Sequence, residues 1–507
     1  MKPEENASFF GKTQLTLWIT LGAVFFLGIG IRLYDLTDPP LDFHSTRQLW
    51  SAIISRGMYY QGLDGVPEWQ KETAFEAWKS KPAIEPAIFE AITAATYKII
   101  GREVIWIPRI YSSVFWLIGG AGLFLLAKEI SGVDGGVVAL IFYIFTPYGV
   151  IASRSFQPDP FMVMWVILAW LAFMRWRRTS SWKDTILTGI FTGAAMLVKP
   201  VAIFMLLGGF SSLILADLGL RKAIRNRQLW VIGSMSTLPV GIYLINGVTT
   251  LGLEKQFQGR FFPELLSDPT NYFRWGNEMM VIVGFSGLFI GLIGIFLFQD
   301  KSHKAFIFGL WAGYGVYGLF FMYHFLTHDY YHLPLIPMTA LSLAPAANVI
   351  LNRLAKLNPG VISKMGIIGV ILMGIILQVW DVRVELAKND YRHEPGYWED
   401  VAGRVDHGDK VVALTQDYGD RITYYGWHQV NNWPETGHLA YRELRGGKPL
   451  VFDEWFKEQT LDMDYFLITR LKELDRQPEL KNHLYENYEI FQQGDGFIYF
   501  DLSEPLQ

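Results

Sequence analysis

Three side chains suited to acid–base or anion-binding chemistry follow the first apolar run of the sequence. In PPLDFHSTRQLW, Asp42, His44 and Arg47 stand beside a rigid Pro-Pro turn. A carboxylate can serve as a general base on a hydroxyl or an amine, and a guanidinium can bind phosphate oxygens through two hydrogen bonds. The alternative is that Asp42 and Arg47 only cap and pair at the start of an interfacial helix.

Two further pairs of charged residues lie next to prolines. The segment SKPAIEPAIF holds Lys81 and Glu85, and SRSFQPDPFM holds Arg154 and Asp159 in a short connection between apolar runs. Solvated interfacial charge explains the first pair equally well. Asp159 has a structural alternative as the cap of the next helix, with Pro160 in its first turn, and both roles can coexist.

Histidines at helical spacing form a fourth group in YHFLTHDYYHLPLIP. A spacing of i, i+4 and i+8 would put the three rings on one face of a helix, an arrangement that suits a divalent metal ion. The alternative is that histidine and tyrosine are simply common where a span ends. The candidate metal ligands are His324, His328, Asp329 and His332, and the neighbouring candidates for substrate binding are Tyr330 and Tyr331.

Composition sets the environment in which these groups must work. Of the 507 residues, 51% are hydrophobic and only 18% are charged, and mean hydropathy is positive, a balance typical of a membrane protein. The net charge of −4 gives no reason to expect a nucleic-acid partner. The sequence has no cysteine, which excludes disulfides, thiolate zinc sites and a cysteine nucleophile.

Long apolar runs predict about eleven transmembrane helices, the first being an uncleaved anchor from Leu15 to Ile31. Lysine and arginine gather in alternate connections, which the positive-inside rule assigns to the cytoplasm together with the N-terminus. The runs are 15–31, 105–127, 135–151, 161–173, 185–198, 201–216, 229–245, 279–298, 305–322, 333–351 and 366–379.

The centres of these runs are nearly free of charged residues, which collect at the outer ends instead. Lys199, at the end of AAMLVKP, is one such residue, either a functional cation or a snorkelling anchor. Transporters usually need ionisable groups near the bilayer midplane. This pattern therefore favours chemistry at the outer membrane surface over transport.

The predicted organisation is a membrane domain at 1–381 and a soluble α/β domain at 382–507. Three segments are predicted to lie outside the membrane: a long first loop, a loop at about 247–277 and the C-terminal region. The first outer loop spans 34–104, and its PAIFEAITAATYKII segment is predicted to be a helix on the membrane surface. In the C-terminal domain, VVALT, YFLIT and the segments on either side of a QQGDG turn are predicted strands, and RLKELDRQPELKNHLYEN is predicted to be helical.

The sequence resembles the membrane glycosyltransferases of the protein O-mannosyltransferase and aminoarabinose transferase type, glycosyltransferase family 39, and especially their bacterial members. The resemblance covers roughly 31–352. It rests on PPLDFHSTRQ, EPAIFEAITAATYKIIG, WIPRIYSSVF with Arg109, SRSFQPDPF, MLVKP and YYHLPLIP.

The resemblance implies a GT-C-type membrane core and carries the family's first-loop base over to Asp42 and its second acid to Asp159. This chain departs from the family in two places. It has Asp42-Phe43 where the mannosyltransferases show Asp-Glu, and KPAIEP where many relatives show Lys-Pro-Pro. Matching Pro86, rather than Pro82, to the family's proline makes Lys81 a weaker candidate as a phosphate ligand. The same match makes Glu85 a stronger candidate as a site residue.

The resulting hypothesis is an inverting glycosyltransferase of the bacterial inner membrane. Its donor is a sugar on an undecaprenyl-type phosphate, its acceptor is a lipid, glycan or protein, and its one candidate cofactor is a divalent metal ion. Asp42 is the base, helped by Asp159 or Glu85. The predicted donor-phosphate ligands are Arg47, Lys81, Arg154 and Lys199, and the predicted substrate-binding residues are His44, Arg109, Tyr330 and Tyr331. The alternatives are a lipid flippase or polysaccharide exporter with an outer sensor domain, and a non-catalytic scaffold.

Overall fold

The computed structural model describes residues 8–250, 252–254, 259–357, 360–448 and 450–506. The chain divides into two compact units. The membrane unit comprises Met1–Leu36, Pro82–Phe89 and Ile107–Asn389, and the sheet unit comprises Thr37–Lys81, Glu90–Trp106 and Asp390–Gln507. The sheet unit thus combines most of the first loop with the C-terminal region.

Seven helices among the described residues are long and apolar enough to cross a membrane, or eight if one bent pair is a single span. The bent pair is Pro269–Val283 with Phe285–Ile295, which meet at 98° beside Gly284. The seven spans are Gln14–Leu33, Ile107–Ser131, Asp159–Thr179, Pro200–Asp217, Arg227–Thr250, Asp329–Lys356 and Val361–Leu386.

Every predicted apolar run overlaps helical structure, which confirms a helical multi-pass membrane protein, whereas the count of eleven spans is not confirmed. Three predicted spans correspond to helices that are too short or insufficiently apolar by the same test: Val133–Phe145, Trp182–Val198 and Lys301–Phe320. The first two have 13 and 17 residues and are too short, whereas glycine, tyrosine and end charges lower the hydropathy of the third.

The α-helices of the chain, in order, are α1 Gln14–Leu33, α2 Ser45–Tyr60, α3 Glu68–Ser80, α4 Ile88–Ile100, α5 Ile107–Ser131, α6 Val133–Phe145, α7 Pro147–Ala152, α8 Asp159–Thr179, α9 Trp182–Val198, α10 Ile203–Asp217, α11 Gly219–Arg225, α12 Arg227–Thr250, α13 Pro269–Val283, α14 Phe285–Ile295, α15 Lys301–Phe320, α16 Met322–Thr327, α17 Leu335–Lys356, α18 Val361–Leu386, α19 Glu394–Ala402, α20 Asp420–Tyr425, α21 Thr436–Leu444, α22 Phe452–Gln459, α23 Leu471–Leu474 and α24 Pro478–Asn487.

Glycines allow α10 and α15 to pack backbone against backbone. A Cβ atom on Gly309 would collide with the carbonyl oxygen of Gly208, and one on Gly313 with the carbonyl oxygen of Phe204. Gly309 and Gly313 are four residues apart, the small-xxx-small spacing that brings membrane helices close together. The membrane unit therefore depends on these positions having no side chain.

Replacing Gly309 with alanine should destabilise the membrane unit by about 1–3 kcal/mol, because overpacking forces the two helices apart. Gly315→Ala is the matched control in the same helix, since a Cβ atom at that position would meet no other atom within 4 Å. Thermal unfolding of both variants in detergent checks the prediction. Equal midpoints for the two variants would contradict it.

The sheet unit contains a five-stranded sheet in the order β2-β1-β3-β5-β4. Strand β1 is parallel to both β2 and β3, whereas β5 is antiparallel to β3 and β4. All four residues of β1 are buried, as expected for a central parallel strand covered on both faces. The strands are β1 Val411–Leu414, β2 Val430–Asn432, β3 Tyr465–Ile468, β4 Tyr488–Gly494 and β5 Phe497–Pro505.

The predicted α/β fold of the C-terminal region is confirmed. VVALT and YFLIT form β1 and β3, and the QQGDG turn joins β4 to β5 through an Asp-Gly loop in which Gly496 has φ +79°. The predicted helical stretch forms α23 and α24, separated just before Pro478. Sequence analysis missed β2, because Val-Asn-Asn is short and asparagine disfavours strands.

Candidate active site

Asp42 lies in the turn that leads into α2. His44 occupies the N-cap position of α2 in a left-handed conformation, with φ 46° and ψ 61°, and its ring packs edge-on against Phe43 at 4.7 Å between centroids. A non-glycine residue holds this conformation only where its surroundings impose it. The turn therefore sets the positions of Asp42, His44 and Arg47, all of which are partly exposed.

The carboxylate of Asp42 accepts a hydrogen bond from the buried side chain of Gln48. The Nε2 atom of Gln48 lies 3.4 Å from Asp42 Oδ1 and 2.7 Å from the carbonyl oxygen of Phe43. Because Gln48 is anchored at Phe43 and fully buried, it limits the orientations open to the Asp42 side chain. Sequence analysis did not identify Gln48, whose only signal was its place in the first turns of α2.

A second acidic contact links this turn to the start of the C-terminal region. The backbone N–H of Tyr391 donates to Asp38 Oδ1 at 3.0 Å. Burial raises the pKa of Tyr391, the Arg421 guanidinium lowers it, and the carboxylates of Asp42 and Asp38 raise it. Tyr391 is thus a near neighbour of Asp42 that sequence analysis missed.

Lys81, predicted as a donor-phosphate ligand, forms an ion pair with Asp420 inside the sheet unit. The Asp420 side chain is 1% exposed and the Lys81 side chain 13%, and the Lys81 ammonium also lies 5.3 Å from the centre of the Trp50 ring. The charge of Lys81 is therefore already compensated. Asp420 comes from a part of the sequence that had shown no site signal.

The Lys81–Asp420 pair should give the protein a measurable pH dependence. Burial raises the pKa of Asp420 to about 6, because it outweighs the attraction of Lys81. An acid whose pKa is higher in the folded state stabilises the fold when protonated, so stability should fall by roughly 2–3 kcal/mol as pH rises from about 4 to 6. Unfolding midpoints measured across this range should show that slope in the native protein and lack it in Asp420→Asn.

Asp417 adds a further contact between the first loop and the C-terminal region. The hydroxyls of Ser45 and Thr46, in the first turn of α2, donate to Asp417 Oδ1 at 2.7 and 2.8 Å, and Arg421 Nε donates to Oδ2 at 2.5 Å. These bonds hold the turn that begins α2, and hence the position of Asp42.

In the membrane unit, Asp159 and Lys199 form a buried ion pair. Lys199 Nζ lies 2.8 Å from Asp159 Oδ1, with side-chain exposures of 6% and 2%. The other oxygen of Asp159 is buried and has no hydrogen-bond partner among the described residues. Two structural alternatives from the sequence are therefore wrong. Lys199 is buried and is not a snorkelling anchor. Asp159 does not cap α8, because Pro158 occupies the N-cap position.

The two predicted substrate-binding tyrosines lie beside this pair. The ammonium of Lys199 is 4.9 Å from the centre of the Tyr330 ring and 5.0 Å from that of Tyr331, distances at which a ring face attracts a cation. Tyr330 and Tyr331 therefore help to hold Lys199 against Asp159.

Arg154, in the connection before α8, and Arg109, in the first turn of α5, are both buried. Arg154 Nη2 donates to the carbonyl oxygen of Asp35 at 2.9 Å, and Arg109 Nε donates to the carbonyl oxygen of Arg154 at 3.1 Å. Arg109 also donates to the carbonyl oxygen of Leu36 at 3.2 Å. It thereby ties the end of the first span to this connection.

The predicted histidine metal site is not formed. The described residues contain no group of three or more His, Cys, Asp or Glu side chains that could hold a metal ion. Helix α16 ends at Thr327 and a 3₁₀ turn follows, so the i, i+4, i+8 spacing does not place the rings on one face. His332 bonds instead to the Tyr314 hydroxyl at 2.6 Å and to the Phe325 carbonyl oxygen at 2.9 Å. The correction applies to His324, His328, Asp329 and His332.

Other acidic and phenolic groups of the membrane unit lie near these residues. Glu85 lies close enough for its charge to act on the Tyr243 hydroxyl. The charge of Asp329 acts on both the Tyr148 hydroxyl and the Glu278 carboxyl group in α13. Sequence analysis missed Tyr148 and Glu278, because neither stands in a distinctive motif.

Comparison with known proteins shows which proteins this chain resembles in sequence and fold. Residues 84–245 match the sequence model of the family described as dolichyl-phosphate-mannose-protein mannosyltransferase. No curated protein matched the sequence.

Solved structures match over nearly the whole chain. The apo crystal structure of ArnT from Cupriavidus metallidurans matches with a TM-score of 0.58 and 14% identity, covering 96% of this chain and 98% of ArnT. The same ArnT bound to undecaprenyl phosphate matches with a TM-score of 0.58 and 13% identity over the same shares of both chains. The archaeal oligosaccharyltransferase AglB from Archaeoglobus fulgidus, in complex with an inhibitory peptide and a dolichol-phosphate, matches with a TM-score of 0.54 and 10% identity, covering 96% of this chain and 74% of AglB. The predicted GT-C fold is confirmed, and the family match supports the predicted glycosyltransferase.

Proposed function

We propose that the protein transfers a sugar from an undecaprenyl-type phosphate carrier to an acceptor on the outer face of the membrane. The observation that carries the proposal is the structural match to ArnT, which extends over nearly the full length of both chains. ArnT has been crystallised with undecaprenyl phosphate and AglB with a dolichol-phosphate, so two proteins of this fold bind a polyprenyl phosphate. The family match agrees with a lipid-phosphate sugar as the donor.

In the proposed reaction an acceptor oxygen or nitrogen attacks the anomeric carbon while the bond from that carbon to the phosphate oxygen breaks. The acceptor proton passes to the Asp42 carboxylate, and the phosphate leaves with the bonding electrons. A single displacement inverts the anomeric configuration. Gln48 supports the role of Asp42 by restricting its carboxylate, as a general base requires.

Cations are the second requirement, because negative charge develops on the departing phosphate. The proposed ligands are Arg47, Lys81, Arg154 and Lys199, of which Lys81 and Lys199 are each paired with a carboxylate. Asp159 then serves chiefly to position Lys199. Glu85 remains a proposed acid for orienting the acceptor.

Mass spectrometry of lipids and glycans from cells with and without the gene tests the proposal. We expect one sugar-modified species to disappear with the gene and to return with the intact gene but not with the Asp42→Asn variant. An unchanged set of lipids and glycans, together with a change in lipid or polysaccharide export, would support the flippase or exporter alternative instead.

We further propose that the protein lies in the inner membrane with the sheet unit outside. The absence of cysteine makes this directly testable, because a single introduced thiol is the only one present. Ser503→Cys, exposed on the sheet unit, should react with a membrane-impermeant maleimide in intact spheroplasts, whereas Lys222→Cys, exposed on α11, should react only after lysis. The reverse pattern would contradict the proposed orientation.

A further inference from the structure

Three neighbouring cavities run across the sheet unit, and the mechanism proposed above uses none of them. Their volumes are about 330, 400 and 380 Å³. The first and second share Asn432 and Gln459 in their walls, and the second and third share residues that include Arg442 and Trp455. The three cavities are therefore neighbours, and together they are called the groove below; the first of them is lined by Lys81 and Asp420.

The groove lies where the topology of the sheet would place a ligand. Strand β1 is parallel to β2 on one side and to β3 on the other, so the chain passes from one side of β1 to the opposite side. In sheets of this kind ligands bind outside the carboxyl ends of the strands, near such a change of direction. Asn432, which ends β2, lines two of the three cavities.

The loop that follows β1 is strained at the same edge. Asp417, Tyr418 and Gly419 have φ values of 52°, 58° and 83° in succession. Backbone strain of this kind persists where the surroundings enforce it, and it clusters at functional sites. The strained loop brings Tyr418 and Asp420 into the wall of the first cavity, and one oxygen of the buried Asp420 has no hydrogen-bond partner among the described residues.

The chemistry of the walls points to an uncharged ligand rich in hydroxyl groups. Planar amides and carboxylates can each bond two neighbouring hydroxyls, and aromatic rings can contact the C–H side of a sugar ring. Tyr418 and Trp455 supply such rings to the walls, where they also pack against His438 and Trp433. Positive and negative side chains in the walls nearly balance, with Lys81, Arg442 and Arg476 against Asp420, Glu443, Glu458 and Glu479. This balance disfavours phosphates and nucleic acids as ligands.

We infer that this groove binds a neutral oligosaccharide, which is the acceptor, or part of the acceptor, of the transfer reaction. That the ligand is the acceptor rests on the proposed function, whereas the presence of a binding site rests on the groove alone. Lys81 belongs to the first loop and Asp420 to the C-terminal region, so the groove starts at the ion pair that joins these two segments within the sheet unit.

Isothermal titration of the full-length protein in nanodiscs tests the inference. The probes are tri- to hexasaccharides of mannose, glucose, galactose and N-acetylglucosamine, together with an uncharged peptide of serine, asparagine and glycine. We expect saturable binding of at least one oligosaccharide, and at least about tenfold weaker binding in Trp455→Ala and in Arg442→Ala. Gln493→Ala, exposed on the opposite edge strand β4, is the control and should bind like the native protein.

Several results would overturn the inference: no saturable binding of any oligosaccharide, binding that survives both groove substitutions, or binding of the peptide alone. Arg442 is exposed, so its variant remains informative if Trp455→Ala misfolds. A transfer assay on the same native protein separates the two proposals. Oligosaccharide binding without transfer in the native protein would contradict the proposed function and leave the groove standing, whereas transfer without such binding would do the reverse.

Discussion

Sugar transfer should fall by about 10²–10⁴-fold when Asp42 is replaced by asparagine, the usual contribution of a positioned general base. The amide has nearly the shape of the carboxylate and still accepts the hydrogen bond from Gln48, but it cannot take up the acceptor proton. Thermal unfolding should therefore change little. The measurement is transfer from a polyprenyl-phosphate sugar in membranes with equal amounts of each variant.

The matched control for Asp42 is Asp64→Asn, which makes the same chemical change at an exposed position of the same loop. It should transfer sugar at the native rate. Full activity in Asp42→Asn would remove Asp42 as the base, and an equal loss in both variants would indicate a general effect of loop charge instead.

Breaking the Asp159–Lys199 pair should produce the largest loss of stability. Lys199→Met leaves the Asp159 carboxylate buried without its cation, and removing one partner of a buried pair typically costs about 3–5 kcal/mol. The double variant Asp159→Asn with Lys199→Met buries no charge and should recover much of that loss. Unfolding in detergent, compared across the native, single and double variants, checks both expectations.

An exposed ion pair supplies the control for this experiment. Lys388 and Glu385 lie 3.5 Å apart with side-chain exposures of 63% and 55%, so Lys388→Met should cost less than about 1 kcal/mol. A similar effect at both lysines would contradict the special role of the buried pair. If the double variant regains stability but not sugar transfer, the pair also serves the reaction.

The charged residues show how far the sequence could be interpreted. Asp42, Arg154, Asp159 and Lys199 were all identified because charge next to an apolar run is conspicuous in any sequence. Which of them pair was not predicted, since Lys199 pairs with Asp159, 40 positions away, and Lys81 pairs with Asp420, 339 positions away. Pairing over such separations depends on the fold and not on local spacing.

The histidine cluster shows that local spacing can also predict a site that the fold does not form. Helical spacing predicted one face for His324, His328 and His332, but the helix ends at Thr327 and His332 bonds elsewhere. A spacing argument holds only while the helix continues, and the tyrosine-rich segment before Pro334 interrupts it.

The sequence by itself determined the membrane class, the position of most apolar helices, the α/β nature of the C-terminal region and the candidate base at Asp42. The first three follow from hydrophobic periodicity and composition, which are local properties of the chain. Asp42 follows from its place after the first apolar run and from the resemblance to a known family. Only the tertiary structure decided that the first loop and the C-terminal region form one unit, that Lys81 and Lys199 are paired, and that a groove crosses the carboxyl edge of the sheet. Each of those depends on contacts between distant segments, which arise only when the whole chain packs.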